Sequence, residues 1–405
     1  MTDTFQVFEQ NKSDANRAEH CRSAHAPHRD ALEYEMESRS ACDVSIIVPT
    51  YCEAENLSVL VQRIDGVLTE ADLSGEIIIV DDNSPDETVE VCRALKSAVP
   101  VRLCVRKEER ELSTAVIRGM NLAQGRVLVC MDADLSHPPE KLPELIRPLD
   151  DSDVEFVIGS RYVSGASTDE EWGFIRWLNS KVATWLARPL TKTNDPMAGF
   201  FALRRTTFHS ATQLDPVGYK IGLELMIKCN CRNVEEIPIH FSDRLYGTSK
   251  LNLKEQIRYL VHLKRLYEHR FGNLAYASQF AAVGLSGMAI DLSVFAVLLM
   301  AWPITSARAL AIWIAMTWNF FLNRYFTFSY AKTSGVKNLA IGKQYLRFCA
   351  SCLTGAVVNL GVSVGLAHVS PFFARHLVWG AVAGIAAGFL LNYVMCRIWV
   401  FRDHR

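Results

Sequence analysis

Four apolar segments close the chain, at roughly 275–300, 303–322, 346–369 and 376–397, each near the ~20 residues that a helix needs to cross a bilayer core. Hydrocarbon offers backbone polar groups no partner, so such stretches must be helices that pack on one another. The net charge of −1 over 405 residues is an average of two unlike parts, because acidic and basic residues crowd the first two thirds. That balance gives no electrostatic reason to expect nucleic acid as a partner. The loop 324–347 carries Lys332, Lys337 and Lys343, and the tail ends in Arg397, Arg402 and Arg405, whereas the connections around Trp302 and Pro371 have only Arg308 and Arg375 near them. The positive-inside rule then predicts a multi-pass protein with both termini and the polar part in the cytoplasm.

The apolar part contains an internal repeat two helices long. QFAAVGLSGMAIDL at 279–292 matches RFCASCLTGAVVNL at 347–360, pairing Phe280 with Phe348, Gly287 with Gly355 and Asp291 with Asn359. NFFLNRYFTF at 319–328 matches NYVMCRIWVF at 392–401 in the same way. Gly284, Gly287, Gly355, Gly361, Gly365, Gly384 and Gly388 are expected to let helices approach closely. Asp291 is costly inside a span, so a partner within the bundle is expected for it.

At the other end, residues 1–42 are polar and scattered with His, lack the apolar core of a signal peptide, and read as a disordered cytosolic tail. The eleven cysteines show no repeated metal spacing: Cys229 and Cys231 stand two apart, and Cys349 and Cys352 fall in an apolar segment. Reduced thiols in a reducing compartment are expected. Residues 251–272 carry Leu253, Ile257, Leu260, Leu263 and Tyr267 at helical spacing among Lys254, Arg258, Lys264, Arg265 and Arg270. This is predicted to be an amphipathic helix lying on an anionic membrane surface, with a surface helix packed on the polar domain as the alternative. The remainder, 43–250 and 273–405, forms the polar and membrane domains.

Within 43–250, VSIIVPT, EIIIVDD, VRLCVRK, VLVCMDAD and FVIGSRY read as strands, and helical patterns near 54–70, 85–98, 113–124 and 139–149 lie between them. Alternation of this kind implies βαβ units and a parallel sheet. The acids recur where strands stop: Glu53 after the first, Asp81 and Asp82 at the second, Asp132 and Asp134 at the fourth. Ligands of open α/β sheets bind beyond the carboxyl ends of the strands, so one crevice can collect these carboxylates. A nucleotide diphosphate would approach them only with a divalent cation, and Mg²⁺ is usually held by one or two carboxylates together with phosphate oxygens. Asp132 and Asp134 suit that use, and Pro138 and Pro139 mark a helix start just after them. His137 is read as part of that helix start and not as a metal ligand.

In order, IIVPTYCEAENL, EIIIVDDNSPDET, LSTAVIRGM, MDADLSHPPE, IGSRY, NDPMAGFFAL, GYKIGLEL and RLYGTSKL resemble the polyprenyl-phosphate (dolichol-phosphate) mannose synthases of glycosyltransferase family 2. The resemblance covers about 44–253, and the helices beyond it resemble a GtrA-type domain. It implies an α/β GT-A glycosyltransferase domain, Rossmann-like with a mostly parallel sheet, followed by an all-α membrane domain of four transmembrane helices. It further implies transfer of mannose from GDP-mannose to a polyprenyl phosphate with inversion. Residue by residue, Pro49, Tyr51, Glu53, Val80 and Asp82 would hold the nucleoside, and Asp132, Ala133 and Asp134 the diphosphate and a Mg²⁺ or Mn²⁺ ion. Arg161, Arg176, Ser180 and Arg244 would meet the acceptor phosphate, with Asp134, Arg161, Arg176 and Arg244 the catalytic set. Lys250 and Arg110 are further candidates for the diphosphate.

These residue types fit those roles. A guanidinium is a planar fork matching phosphate oxygens, and a phosphate monoester with its second ionisation near ~6 is already anionic at neutral pH, so no protein base is required. Two positions depart from the family pattern. Ser136 stands where Gln is usual; it joins Asp132 and Asp134 in the candidate metal set, but is too short to reach the ion as Gln would, which leaves room for a water in that role; Glu111 stands where Gly is usual. A UDP-glucose or other UDP-sugar donor is the nearest alternative, although NDPMAGFF and GYKIGLE lean toward mannose. An inactive component of a lipid-linked sugar flippase is the alternative of another class. The absence of G-x-G-x-x-G after any strand disfavours a nicotinamide enzyme, and the absence of Q-x-x-R-W disfavours a processive polysaccharide synthase. Oligomeric state is left open.

Overall fold

The computed structural model describes residues 5–10, 42–151, 153–168, 174–242, 253–329 and 338–401, which fall into two compact units, 1–270 and 271–405. The first unit contains β1 (Phe5–Gln10), β2 (Val44–Thr50), α1 (Ala54–Glu70), β3 (Gly75–Asp81), α2 (Thr88–Ala94), β4 (Val101–Arg106), α3 (Leu112–Leu122), β5 (Val127–Cys130), α4 (Leu142–Ile146), β6 (Phe156–Ser160), β7 (Ser167–Thr168), α5 (Phe174–Ala187), β8 (Phe201–Arg204), α6 (Arg205–His209), α7 (Ile221–Lys228), β9 (Val234–Pro238), β10 (His240–Phe241) and α8 (Leu253–Phe271). Eight strands form one sheet in the order β1-β4-β3-β2-β5-β8-β6-β9, and β7 pairs with β10. Only β8 runs against its neighbours β5 and β6.

The strands are continuous apolar runs because both sheet faces are covered. All seven residues of β2 are buried, and Ile46, Ile77, Ile79 and Val129 are fully so, packed with Leu57, Leu60 and Ile64 of α1. Each such side chain contributes about 1.5–3 kcal/mol of apolar burial. From β2 the chain steps outward to β3 and β4, then returns to lay β5 on the other side of β2. A crevice opens where the winding reverses, between the carboxyl ends of β2 and β5.

The expectation of a tail without structure over 1–42 does not hold for Phe5–Gln10, which pair in parallel with the whole of β4, from Phe5 opposite Val101 to Gln10 opposite Arg106. Without them β4 would present an unpaired edge. The helix α8 also differs from the amphipathic helix expected to grip headgroups. Its Leu263 and Leu266 are buried, Tyr259 and Tyr267 donate to the carbonyls of Ala183 and Leu186 in α5, and His262 meets Glu224 of α7 at 2.7 Å. Four of its basic side chains are engaged within the protein, Lys264 with Glu268, Arg265 with Asp215, Arg258 with Glu255 and Arg270 with Asn230, and that of Lys254 lies outside the described residues. Ile257, Leu260 and Val261 remain as an exposed apolar stripe.

The second unit contains α9 (Asn273–Leu298), α10 (Ile304–Leu322), α11 (Asn338–Val369), α12 (Pro371–Arg375) and α13 (Leu377–Met395). Among the described residues three stretches are long and apolar enough to cross a membrane: Asn273–Leu298, Ile341–Val369 and Leu377–Val400. The fourth expected span, α10, is not among them, since Arg308 and Asn319 dilute its apolar character. The sequence repeat is also a repeat of contacts. Both hairpins end in a π-helical turn, Asn323–Thr327 and Cys396–Val400, leading into Phe328 and Phe401, which stack at 5.0 Å. Phe280 meets Phe328 at 6.3 Å and 55°, as Phe348 meets Phe401 at 6.3 Å and 55°. Across the hairpins, Phe280 and Tyr393 lie at 5.7 Å and Phe348 and Phe320 at 5.6 Å. The two halves are thus related by a local two-fold.

Of the seven glycines, Gly388 and Gly355 show why small residues are needed, since a Cβ at Gly388 would come within 2.6 Å of the Gly355 carbonyl. Gly287 and Gly384 also face a neighbouring helix, but Gly284, Gly361 and Gly365 have open space beside them and do not mediate packing. Asp291 has the expected partner, Arg308 at 2.8 Å. The ten described cysteines are all free.

Candidate active site

Three loops at the carboxyl ends of neighbouring strands hold a non-glycine residue in the left-handed region: Cys52 after β2 (φ 60°), Asn83 after β3 (φ 54°) and Leu135 after β5 (φ 62°). For a bulky residue such as Leu135 this is strained, and strain of that kind persists only where surrounding contacts over-determine the loop. The contacts are visible. The Asp132 N–H donates to Nδ1 of His137 (3.0 Å), the Ser136 N–H donates to Asp134 Oδ1 (3.1 Å), and the Ser242 N–H donates to the Ser136 carbonyl (3.3 Å). His137 is buried, stacked on Phe200 at 5.3 Å and edge-on to Phe241. It buttresses the two acids instead of starting a helix, and the first helical turn begins later, at Pro139.

The loop therefore delivers Asp132 and Asp134 to the crevice in fixed positions. Asp132 is part-exposed, Asp134 is buried, and Ala133 is packed into the core, so only its backbone faces a ligand. Ser136 Oγ is buried and without a hydrogen-bond partner. An orphaned hydroxyl beside two carboxylates is an all-oxygen donor set of the kind a hard divalent cation takes. Among the described residues no three His, Cys, Asp or Glu side chains converge on one point.

On the β2 side, Pro49 lies opposite Val80 in the sheet, Tyr51 is exposed, and the Arg110 guanidinium covers the Tyr51 ring at 5.3 Å. Glu53 accepts from Asn56 Nδ2 at 2.8 Å. Asp82 is not an open carboxylate: buried Arg106 holds its Oδ1 at 2.5 and 2.7 Å. Asp81 is likewise engaged, accepting from Thr50 and from the N–H and hydroxyl of Ser84. Glu111 has a structural use, accepting from the Gly218 N–H at 2.6 Å, where φ is +80°, while Ser113 donates to the Gly218 carbonyl. The departure from Gly thus ties the start of α3 to the loop before α7.

Facing Asp132 across the crevice is the loop 195–199. Arg161, directly after β6, gives Nε and Nη2 to the two oxygens of fully buried Asp195 at 2.8 and 2.9 Å, and its N–H to the same carboxylate. Burial pushes the Asp195 carboxyl up, but the guanidinium outweighs it and holds the group below the ordinary carboxylate range. At the other end of the loop, a Cβ on Gly199 would lie 3.3 Å from Asp132 Oδ2 and 3.3 Å from the His137 ring. Gly199→Ala is therefore expected to crowd Asp132 and lower the transfer rate about tenfold, with thermal stability changed by less than ~1 kcal/mol; a rate assay paired with a melting curve checks both. Arg176 and Ser180 both belong to α5, but their side chains, like Arg244 and Lys250 altogether, lie outside the described residues. Asp195 was not singled out from sequence, although an acid before Pro in NDPMAGFF was the available signal. Arg106, one strand over from the acids, left no such trace.

The sheet, its reversed winding and the paired acids behind β5 define a GT-A-type glycosyltransferase joined to a helical membrane domain. Residues 45–210 match the family model "Glycosyl transferase family 2", and 279–401 match "GtrA/DPMS, transmembrane domain". The dolichol-phosphate mannosyltransferase of Pyrococcus furiosus is 38% identical over 87% of this chain and 98% of its own. Those of Mycosarcoma maydis and Saccharomyces cerevisiae are 43% and 42% identical over 57% of this chain and 81% and 89% of theirs. This chain belongs to the dolichol-phosphate mannosyltransferases, enzymes of glycosyltransferase family 2 that make polyprenyl-phosphate mannose. Among solved structures, glucosyl-3-phosphoglycerate synthase from Mycobacterium tuberculosis, in complex with Mn²⁺, UDP-glucose and phosphoglyceric acid, is a remote likeness: 18% identical, TM-score 0.41, covering 56% of this chain and 79% of its own.

Proposed function

We propose that the chain transfers mannose from GDP-mannose to a polyprenyl phosphate by direct displacement, inverting the anomeric centre. The observation that carries this reading is the placement of Asp132 and Asp134 at the winding reversal, opposite the Arg161–Asp195 pair. Asp132 and Asp134 would hold the cation that accompanies the donor diphosphate, with Ser136 Oγ the adjacent oxygen, and a Mg²⁺ or Mn²⁺ ion there would supply charge neutralisation for the leaving diphosphate. Pro49, Tyr51, Glu53, Val80 and Asp82 form the nucleoside side of the crevice. Arg161, with Arg176, Ser180 and Arg244, receives the acceptor phosphate, and Lys250 reaches the diphosphate. The acceptor's own oxygen is the nucleophile, already ionised near neutral pH, so the chain's task is to bind, orient and exclude water. No side chain takes a proton and no sugar–enzyme bond forms.

The acceptor is a membrane lipid, and the exposed stripe Ile257, Leu260 and Val261 on α8, beside Val182 and Trp185 of α5, supports contact of this face with a membrane surface. Both termini and the catalytic unit are assigned to the cytoplasm on the Lys and Arg bias of the loops. Purified full-length protein given labelled GDP-mannose or UDP-glucose, polyprenyl phosphate and Mg²⁺ tests the donor. Mannose transfer with inverted configuration is expected. Transfer from UDP-glucose alone, or a product that keeps the donor's configuration, would overturn the reading.

A further inference from the structure

Three residues of the loop 195–199 touch three different charged groups. Asp195 binds Arg161, Gly199 sits against Asp132, and between them the Met197 carbonyl accepts from Lys220 Nζ at 3.3 Å. Lys220 caps the start of α7, and its ammonium lies over the Tyr219 ring at 4.4 Å. Among the described residues no carboxylate lies within ion-pair distance of it, and both oxygens of Asp195, on the facing loop, accept from Arg161. Burial and the neighbouring Arg161 charge pull the amine down to about 8, against Asp195 and Asp132. The protein thus holds a second cation next to Arg161 without an anion of its own. A half-buried charge held beside another cation is favoured by a partner of opposite sign, so such an arrangement suits a ligand that brings negative charge. The loop before it is tied to α3 through Glu111 and Gly218, which fixes the approach of the ammonium.

We infer that Lys220 is a further ligand of the acceptor phosphate, binding it together with Arg161 from the side of the 195–199 loop. This deepens the acceptor assignment above and rests on it. The two cations differ in chemistry: Arg161 is oriented by its Asp195 fork, whereas Lys220 is a point charge on a flexible stem that follows the phosphate as it becomes a diester. The donor diphosphate is the rival ligand, but its charge is met by the cation at Asp132 and Asp134, which leaves the monoester as the anion still in need of a partner.

The test uses full-length protein and two variants, Lys220→Met and Lys220→Arg. Binding of geranyl phosphate, a short prenyl phosphate, is measured by calorimetry without any donor, and binding of GDP with Mn²⁺ is measured separately. Lys220→Met is expected to weaken geranyl phosphate binding and raise the acceptor KM about 10- to 100-fold, as for loss of one hydrogen bond between charged groups, with GDP–Mn²⁺ affinity within twofold. Lys220→Arg is expected to restore most of the loss. Weaker GDP–Mn²⁺ binding with unchanged geranyl phosphate binding would move Lys220 to the donor and overturn the inference. So would unchanged binding of both, or a fall in both together with the melting temperature, which marks a structural residue. Because the geranyl phosphate arm contains no sugar nucleotide, an error about GDP-mannose would appear in the transfer assay and leave this result readable.

Discussion

Asp134→Ala is expected to lower kcat/KM for mannose transfer by about 10³-fold or more, the equivalent of roughly 4 kcal/mol of lost transition-state stabilisation. Asp134 is buried in the turn before Leu135 and accepts from the Ser136 N–H within that loop. On the proposed reading, removing its carboxylate takes away a ligand of the cation, and Asp134 lies beyond the last residue of β5, Cys130. The melting temperature should move by a few degrees at most, and Mn²⁺-dependent GDP binding should fall in parallel with the rate. Steady-state transfer assays on detergent-purified protein, paired with calorimetry, read both quantities. A variant that retained transfer within tenfold of the parent would sink the assignment of this acid to the cation. Asp132→Ala should act in the same direction and more gently, because Asp132 is part-exposed and a water can take its place.

The second large effect is expected at a residue that touches no substrate. Asp195→Asn removes the carboxylate that grips the Arg161 guanidinium, which is only 15% exposed. Breaking a buried pair from one side costs about 3–5 kcal/mol, because the remaining charge stays desolvated and uncompensated. Stability should fall by that order, and acceptor KM should rise at least tenfold as the guanidinium loses its fixed orientation. The pH dependence carries a distinct signature. The carboxyl is depressed in the folded protein, so its contribution is complete above the unfolded value of about 3.9 and is lost as pH falls through the lower folded value. Asp195→Asn should therefore flatten the acid limb of the stability curve while lowering its plateau. Chemical denaturation at a series of pH values would show this; an unchanged acid limb would mean that the pair does not report on folding.

The strands, the amphipathic helices between them and the repeat in the apolar third were legible because each has a short period. The helix at 54–70 was delimited to the residue, since Leu57, Leu60, Val61, Ile64 and Leu68 recur on one face. The acids behind the strands were legible because an apolar run that stops at Asp132 and Asp134 leaves little choice about where they emerge. Three features were not. The pairing of Phe5–Gln10 with β4 joins residues some hundred positions apart, and nothing local in FQVFEQ announces it. The pairing of Asp82 with Arg106 and of Arg161 with Asp195, which fixes the orientation of two candidate ligand groups, joins residues from different strands and loops. The helix 253–271 carries the charges of a membrane-surface helix, yet Arg265, Lys264 and Arg270 found partners within the protein.

From sequence alone came the kind of chain this is: a parallel α/β domain with metal-competent acids at its strand ends, followed by two related apolar hairpins. Periodicity and composition are enough for that, because burial on both faces of a sheet and immersion in hydrocarbon each impose a pattern on every residue. Which charges stay available for phosphate was decided only by the tertiary structure. An ionised side chain under low exposure must find an opposite charge or a dipole, and whether that partner is a neighbour such as Asp195 or a ligand depends on loops brought together from distant parts of the chain.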